Sequence, residues 1–185
     1  LVKIGVSAAV IEDKKGVKRN SLYGNDKIQQ MEDIKVFADK IRCVKEKNLA
    51  DDFMIFARIE SFIAGESIDV AIERAEKYIE SGADAIVIHS ISQEADDIFA
   101  FAEIYKKRFA DIPLVFIPTA YNSFTDTELY KKGADIIIYA NQLMRSAYRA
   151  MQETALSILK EGRSFYADKQ YCATARTILN LIDGE

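Results

Sequence analysis

No apolar run in this 185-residue sequence approaches the roughly 18 residues of a membrane-spanning helix, so none is expected. Positive charge is not in excess either. Lys and Arg number 25 against 29 Asp and Glu, giving a net charge of −4 and a pI near 5.2. Without a basic stripe to neutralise a phosphate backbone, nucleic-acid binding is not expected. Cysteine is scarce: Cys43 and Cys172 lie far apart and outside any metal-spaced cluster. That argues against a disulfide framework and a zinc site, and makes reduced, mostly buried thiols of a cytoplasmic protein the expectation. The two prolines, Pro113 and Pro118, flank one short apolar run, and no Gly/Ser/Pro-rich linker divides the chain. Residues 1–185 therefore read as one domain, or a large part of one. Neither GxGxxG nor GxxxxGK[ST] occurs, which disfavours a doubly wound sheet with a phosphate loop after its first strand. No secretory leader is evident. The first residue is Leu1 rather than Met, on what reads as the last turn of a helix, so an earlier natural start is expected.

What is present is ordered. Hydrophobic residues make up 49% of the chain and charged residues 29%, as in ordinary globular proteins. Five short, β-branched, almost wholly apolar runs cover residues 6–11, 53–59, 85–88, 114–117 and 136–139. Such runs suit strands buried on both faces of a parallel sheet. Amphipathic stretches separate them. Residues 28–46 carry Ile28, Met31, Ile34, Phe37, Ala38, Ile41 and Val44 at three- and four-residue steps. Residues 68–80 repeat the pattern through Ala71, Ile72, Ala75, Tyr78 and Ile79, and further helices are expected over 95–109, 127–132, 142–160 and 173–182. A polar break is expected over 162–169. Gly82-Ala83-Asp84-Ala85-Ile86 and Gly133-Ala134-Asp135-Ile136-Ile137 each close a helix and open a strand, and Gly5-Val6-Ser7-Ala8 resembles a third copy. Strand alternating with helix means parallel β-α-β crossovers. A (β/α)8 TIM-type barrel fits better than an open sheet, and five units leave about three to precede Leu1.

Polar residues collect where the strands end. The first run leads into Glu12-Asp13-Lys14, and the second carries Arg58 and Glu60. The third ends at His89-Ser90, the fourth at Thr119, and the fifth reaches Asn141. In a barrel these positions ring one mouth. A carboxylate, a guanidinium and an imidazole together suit an anionic substrate, often with a divalent metal. Each residue also has a plainer role. Arg58 and Glu60 share a strand face and could form only a buried ion pair. His89, the single histidine, could simply hydrogen-bond a loop, and the segment after Glu12 could be a solvated turn. That segment is long for a βα loop and could act as a mobile lid carrying Lys18 and Asn20.

Ala9-Val10-Ile11-Glu12-Asp13-Lys14 followed by Lys18-Arg19-Asn20-Ser21 resembles the strand and gating loop of the phosphoenolpyruvate mutase family, in the isocitrate lyase/phosphoenolpyruvate mutase superfamily. Phe56-Ala57-Arg58-Ile59-Glu60-Ser61-Phe62-Ile63-Ala64-Gly65 is similar to that family's A-R-x-E-x-F-I-A-G stretch. Arg74-Ala75-Glu76-Lys77-Tyr78, His89-Ser90, Ile117-Pro118-Thr119, Tyr139-Ala140-Asn141 and Arg145-Ser146-Ala147 continue the match over nearly the whole chain.

The resemblance implies a β/α barrel, Mg²⁺, and interconversion of phosphoenolpyruvate with phosphonopyruvate, the C–P bond-forming step of phosphonate biosynthesis. By the same resemblance Glu12 holds magnesium through water, Lys18, Asn20 and Ser21 close over substrate, Arg58 and His89 grip the phosphoryl group, and Thr119 contacts substrate. Two departures carry weight. The lyase branch's acid/base cysteine is absent from Lys18-Arg19-Asn20-Ser21, which disfavours C–C cleavage. The family's aspartates on its second and third strands, including the direct magnesium ligand, are also absent from these residues and would precede Leu1. Phosphonopyruvate hydrolase is the nearest alternative, with Asn20 leaning towards the mutase. Another 2-oxo acid lyase or decarboxylase follows, then an inactive partial barrel acting only in assembly. The family's exchanged terminal helices imply a homo-dimer or homo-tetramer.

Overall fold

The computed structural model describes residues 1–17, 30–47 and 53–183. They form two compact units, Leu1–Tyr139 and Ala140–Glu185. The first holds five parallel strands: β1 (Ala8–Glu12), β2 (Met54–Ile59), β3 (Ala85–Ile88), β4 (Leu114–Phe116) and β5 (Ile136–Ile137). Their spatial order, β1-β2-β3-β4-β5, is their chain order. Helices α1 (Ile34–Glu46), α2 (Ile68–Glu80), α3 (Asp96–Arg108) and α4 (Asp126–Lys131) fill the crossovers. Sequential parallel strands joined by helices are what consecutive units of a β/α barrel require.

The strands alternate. Ile55, Ala57, Ile59, Ile86, Ile88, Leu114 and Phe116 pack with Phe37, Ile41, Ile72, Tyr78, Ile98, Phe101 and Tyr105 of the helices. Phe56, Ala85, Val87, Val115 and Ile117 form a smaller apolar cluster on the other face. Period two carries that second face onward to Glu12, Arg58 and His89.

The glycine repeat has a structural reason. Gly82 and Gly133 have φ of 98° and 106°, where L side chains are strained. A lysine stem also passes close: a Cβ on Gly82 would stand 3.1 Å from Lys45 Cγ, and one on Gly133 3.5 Å from Lys106 Cγ. Each lysine reaches the aspartate of the repeat, Lys45 to Asp84 and Lys106 to Asp135. Each aspartate then clasps the start of the neighbouring strand. Asp84 Oδ2 accepts from the Ile55 N–H at 2.6 Å while its own N–H donates to the Ile55 carbonyl at 2.8 Å. Asp135 treats Leu114 identically, at 2.6 and 2.8 Å. In the third copy Ser7 supplies only its carbonyl, to the Met54 N–H at 2.9 Å. The repeat is therefore a register pin.

Several boundaries differ from the periodicity. β4 stops at Phe116 because Pro118 has no N–H for the ladder. β5 has only two residues and lies at the sheet edge. α1 begins at Ile34: Asp33 caps it, accepting from the Lys35 and Val36 N–H groups at 2.9 and 3.1 Å, while Met31 pairs with Lys14 instead. Thr125 caps α4 in a reciprocal capping box with Glu128. Cys43 and Cys172 are free as expected but exposed rather than buried. Cys43 lies on the outward side of α1 beside buried Ile41, and Cys172 ends α6.

The second unit comprises α5 (Gln142–Glu161), α6 (Phe165–Tyr171) and α7 (Ala175–Asp183). α6 occupies part of the expected polar break, with Ala167 fully buried. Leu143, Met144, Met151 and Leu159 of α5 are exposed. Among the described residues no helix is long and apolar enough to cross a membrane.

Gly133→Ala should lower stability by about 1–3 kcal/mol, because it combines a positive φ with a Cβ placed 3.3 Å from Ala102 Cβ. A urea-unfolding midpoint equal to wild type would contradict that cost.

Candidate active site

Three adjacent strands deliver their polar ends to one place. Glu12 is the last residue of β1 and stands in register beside Arg58 of β2. His89 follows β3, and its N–H donates to the Ile59 carbonyl at 3.3 Å. Glu60, just past β2, is fully buried and gathers the rest. Its Oε1 accepts from Arg58 Nε at 2.5 Å and lies 3.0 Å from His89 Nδ1. Its Oε2 lies 3.1 Å from Lys14 Nζ. Arg58 Nη2 is 2.9 Å from the same His89 Nδ1, and Arg58 Nη1 is 3.5 Å from Glu12 Oε1. Lys14 Nζ is 3.5 Å from Glu12 Oε2. Two carboxylates, two cations and an imidazole thus alternate in one largely buried cluster.

A second network lies behind it. Asp13 is fully buried, and its Oδ1 accepts from the Glu60 N–H at 2.9 Å. Its Oδ2 accepts from the Tyr78 hydroxyl at 2.9 Å and from Arg74 Nη1 at 3.4 Å. Arg74 Nη1 also donates to the Glu32 carbonyl at 3.0 Å, while Nε and Nη2 grip Glu66 at 2.9 and 3.0 Å. Ser61 Oγ completes this link, donating to Glu66 Oε2 at 2.7 Å. Main-chain bonds join residues 13–15 to 30–32: Glu32 N–H to the Asp13 carbonyl at 2.9 Å and Lys15 N–H to the Gln30 carbonyl at 2.8 Å. Arg74 therefore fastens both sides of this pairing. Burial pushes the Asp13 carboxyl up to about 6, against the opposing pull of the Glu60 N–H, Arg74 and Tyr78. Burial, then the Asp13 charge, raises the Tyr78 hydroxyl well above its ordinary range, so it stays a donor.

Of the residues read from the sequence, Glu12, Arg58 and His89 come together. Thr119 stands half-buried beyond β4, its N–H bonded to the Ile117 carbonyl at 2.7 Å. Lys18, Asn20 and Ser21 lie outside the described residues. The Arg58–Glu60 ion pair exists, but inside the cluster rather than instead of it. Arg74 was not singled out, although a signal was present: it is a charged residue on the apolar stripe of α2, between Ala71 and Tyr78. Among the described residues no three His, Cys, Asp or Glu side chains converge as a metal cluster. Glu12 is one carboxylate at a strand end, suited to bind a hydrated cation through water rather than to build a site alone.

The model of the family "Phosphoenolpyruvate phosphomutase" matches residues 1–159. The chain belongs to the phosphoenolpyruvate phosphomutase family. A phosphoenolpyruvate phosphomutase from Tetrahymena pyriformis is 38% identical over 156 residues, covering 84% of this chain and 51% of that protein. The crystal structure of a phosphoenolpyruvate phosphomutase from Streptomyces platensis subsp. rosaceus superposes with a TM-score of 0.90 at 32% identity, over 98% of this chain and 61% of that one. A phosphonopyruvate hydrolase in complex with oxalate and Mg²⁺ superposes with a TM-score of 0.86 at 31% identity, over 99% and 61%. The chain thus spans about half the length of the curated phosphomutase it matches. The family is settled by these likenesses; mutase and hydrolase resemble the chain about equally.

With its pKa at about 6, Asp13 holds a proton in the folded chain that the unfolded chain, near 3.8, has already released. Its protonation therefore contributes stability in full below about pH 4 and loses it as pH rises through 6. The unfolding free energy of wild type should fall by about 2 kcal/mol more than that of Asp13→Asn between pH 4 and 7. Parallel pH profiles from urea titrations would refute this origin.

Proposed function

We propose that the chain works in a phosphoenolpyruvate mutase, interconverting phosphoenolpyruvate and phosphonopyruvate. The observation that carries the reading is the Glu12, Arg58 and His89 cluster at one end of the sheet, in a member of this family. In the forward direction the enol O–P bond breaks and a C–P bond forms at the methylene carbon. The two compounds are isomers, so neither water nor a net proton is consumed. Such transfers pass through a loose, metaphosphate-like state in most analyses, so catalysis is mainly positioning and charge stabilisation.

Arg58 and His89 are the groups for the phosphoryl oxygens, since a guanidinium edge and an imidazole N–H are directional donors. Lys14 and Glu60 set the charge around them. Lys18, Asn20 and Ser21 cover the substrate and hold the phosphoryl group away from water, and Thr119 contacts the substrate. Mg²⁺, when bound, neutralises charge on the oxygens of the 2-oxo acid. Glu12 would hold it through water, and among the described residues no group of three or more His, Cys, Asp or Glu side chains could hold it directly. The oxalate and Mg²⁺ in the hydrolase relative support this choice of metal. Residues 1–185 are a portion of one β/α-barrel domain of a cytoplasmic protein. The exposed apolar residues of α5 support a homo-dimer or homo-tetramer with exchanged C-terminal helices.

The hydrolase is the competing reading, favoured by the likeness to the hydrolase structure. It needs only that water, not the enol carbon, receive the phosphoryl group. ³¹P NMR of phosphonopyruvate incubated with the protein and Mg²⁺ separates the two. Phosphoenolpyruvate as product is expected; pyruvate with free phosphate alone would assign the hydrolase, and no turnover would leave a partial barrel acting in assembly. Asn20→Ala should lower mutase turnover about 100-fold, the scale on which loss of one positioned donor acts. Near-normal turnover would remove Asn20 from the mechanism.

A further inference from the structure

His89 Nδ1 has two neighbours that make opposite demands. Arg58 Nη2, at 2.9 Å, can only donate a hydrogen. Glu60 Oε1, at 3.0 Å, can only accept one when ionised. A neutral imidazole cannot satisfy both, because Nδ1 either carries the hydrogen or does not.

The guanidinium decides the matter. Nε and Nη2 form one edge of a planar fork. With Nε set on Glu60 Oε1 at 2.5 Å, the parallel Nη2–H points alongside that oxygen, where Nδ1 lies. A hydrogen on Nδ1 would set two N–H groups against each other. A bare Nδ1 leaves lone pairs facing across 3.0 Å, but with both fork hydrogens serving them. Charge argues the same way. Glu60 already has Arg58 on one oxygen and Lys14 on the other, so it does not need a third donor to be neutralised.

We infer that Arg58, braced by the buried carboxylate of Glu60, fixes neutral His89 in the tautomer that carries its hydrogen on Nε2. Glu60 is then a positioning residue acting through Arg58, and Arg58 has a duty towards His89 in addition to any towards substrate. The chemical consequence is that His89 offers an anionic oxygen a hydrogen-bond donor without first taking up a proton. That consequence rests on the phosphoryl-transfer reading above; the tautomer does not.

His89 is the only histidine in the chain, so its ring signals need no assignment. Long-range ¹H–¹⁵N correlation spectra of the ligand-free, ¹⁵N-labelled protein at about pH 8 should show a protonated Nε2 and an unprotonated Nδ1. A protonated Nδ1, alone or with Nε2, would overturn the inference. Arg58→Met removes the donor and leaves Glu60 beside Nδ1, so the hydrogen should move to Nδ1. A folded Arg58→Met ring that keeps Nε2–H would show that something other than Arg58 sets the tautomer. The wild-type spectrum decides the question even if that variant does not fold. No substrate is used, so an inactive protein and a wrong tautomer are separate failures.

Discussion

A carboxylate removed completely from water must be neutralised and hydrogen-bonded, and Glu60 is such a group. Removing one partner from a buried pair of this kind costs about 3–5 kcal/mol, which is the scale of constraint it places on its surroundings. Arg58 and Lys14 meet it from two strand ends, and His89 stands against Arg58 at a third. Its own main-chain N–H is taken by Asp13, a second buried carboxylate, which in turn draws Arg74 and Tyr78 from α2. The geometry of the candidate site is thus one chain of charge compensation. It runs from the helix layer, through Asp13 and Glu60, to Arg58, Lys14 and His89 at the strand ends.

The sheet makes that chain possible. Parallel strands begin and end together, so residues beside one another in register stay neighbours at the strand ends. The Asp84 and Asp135 clasps hold the register at the opposite end, each using the N–H and the carbonyl of a single strand residue. A one-residue slip would turn Arg58 into the helix layer and bring a residue of the apolar set to the site. Apolar packing with Phe37, Phe101 and Tyr105 supplies the cohesion, and the polar clasps choose the alignment.

For phosphoryl transfer the arrangement is economical. The reaction asks for donors held at fixed positions around developing charge, with little reorganisation on binding. Arg58 is anchored through Nε on Glu60, and His89 is held by the Nη2 of the same guanidinium. Both side chains therefore stand with orientations already restrained. Isomerisation and hydrolysis differ only in what receives the phosphoryl group. Family likeness shared with a mutase and a hydrolase is consistent with a common anion grip and a separate control over water.

Much of this was legible in the residues. Alternation of β-branched runs with three- and four-residue apolar periods determined a parallel β/α fold, because each period suits only one backbone geometry. Helix α2 and strand β3 fall at the bounds the pattern indicates. Glu12, Arg58 and His89 stood out as polar residues ending apolar runs, and the motifs around them identified the family. Other features depend on contacts between residues far apart in the chain. Periodicity carried α1 back through Met31, whereas pairing with Lys14 and the Asp33 cap stop it at Ile34. Glu60 read equally well as half of a local ion pair until His89 and Lys14 were seen against it. Arg74 was hidden on an apolar stripe because its carboxylate partner, Asp13, lies 61 positions away. The sequence by itself determined the periods, the turns and the family's chemical groups, which are local properties. Only the tertiary structure decided which charges neutralise which, because burial and Coulomb energy depend on distance in space and not on order along the chain.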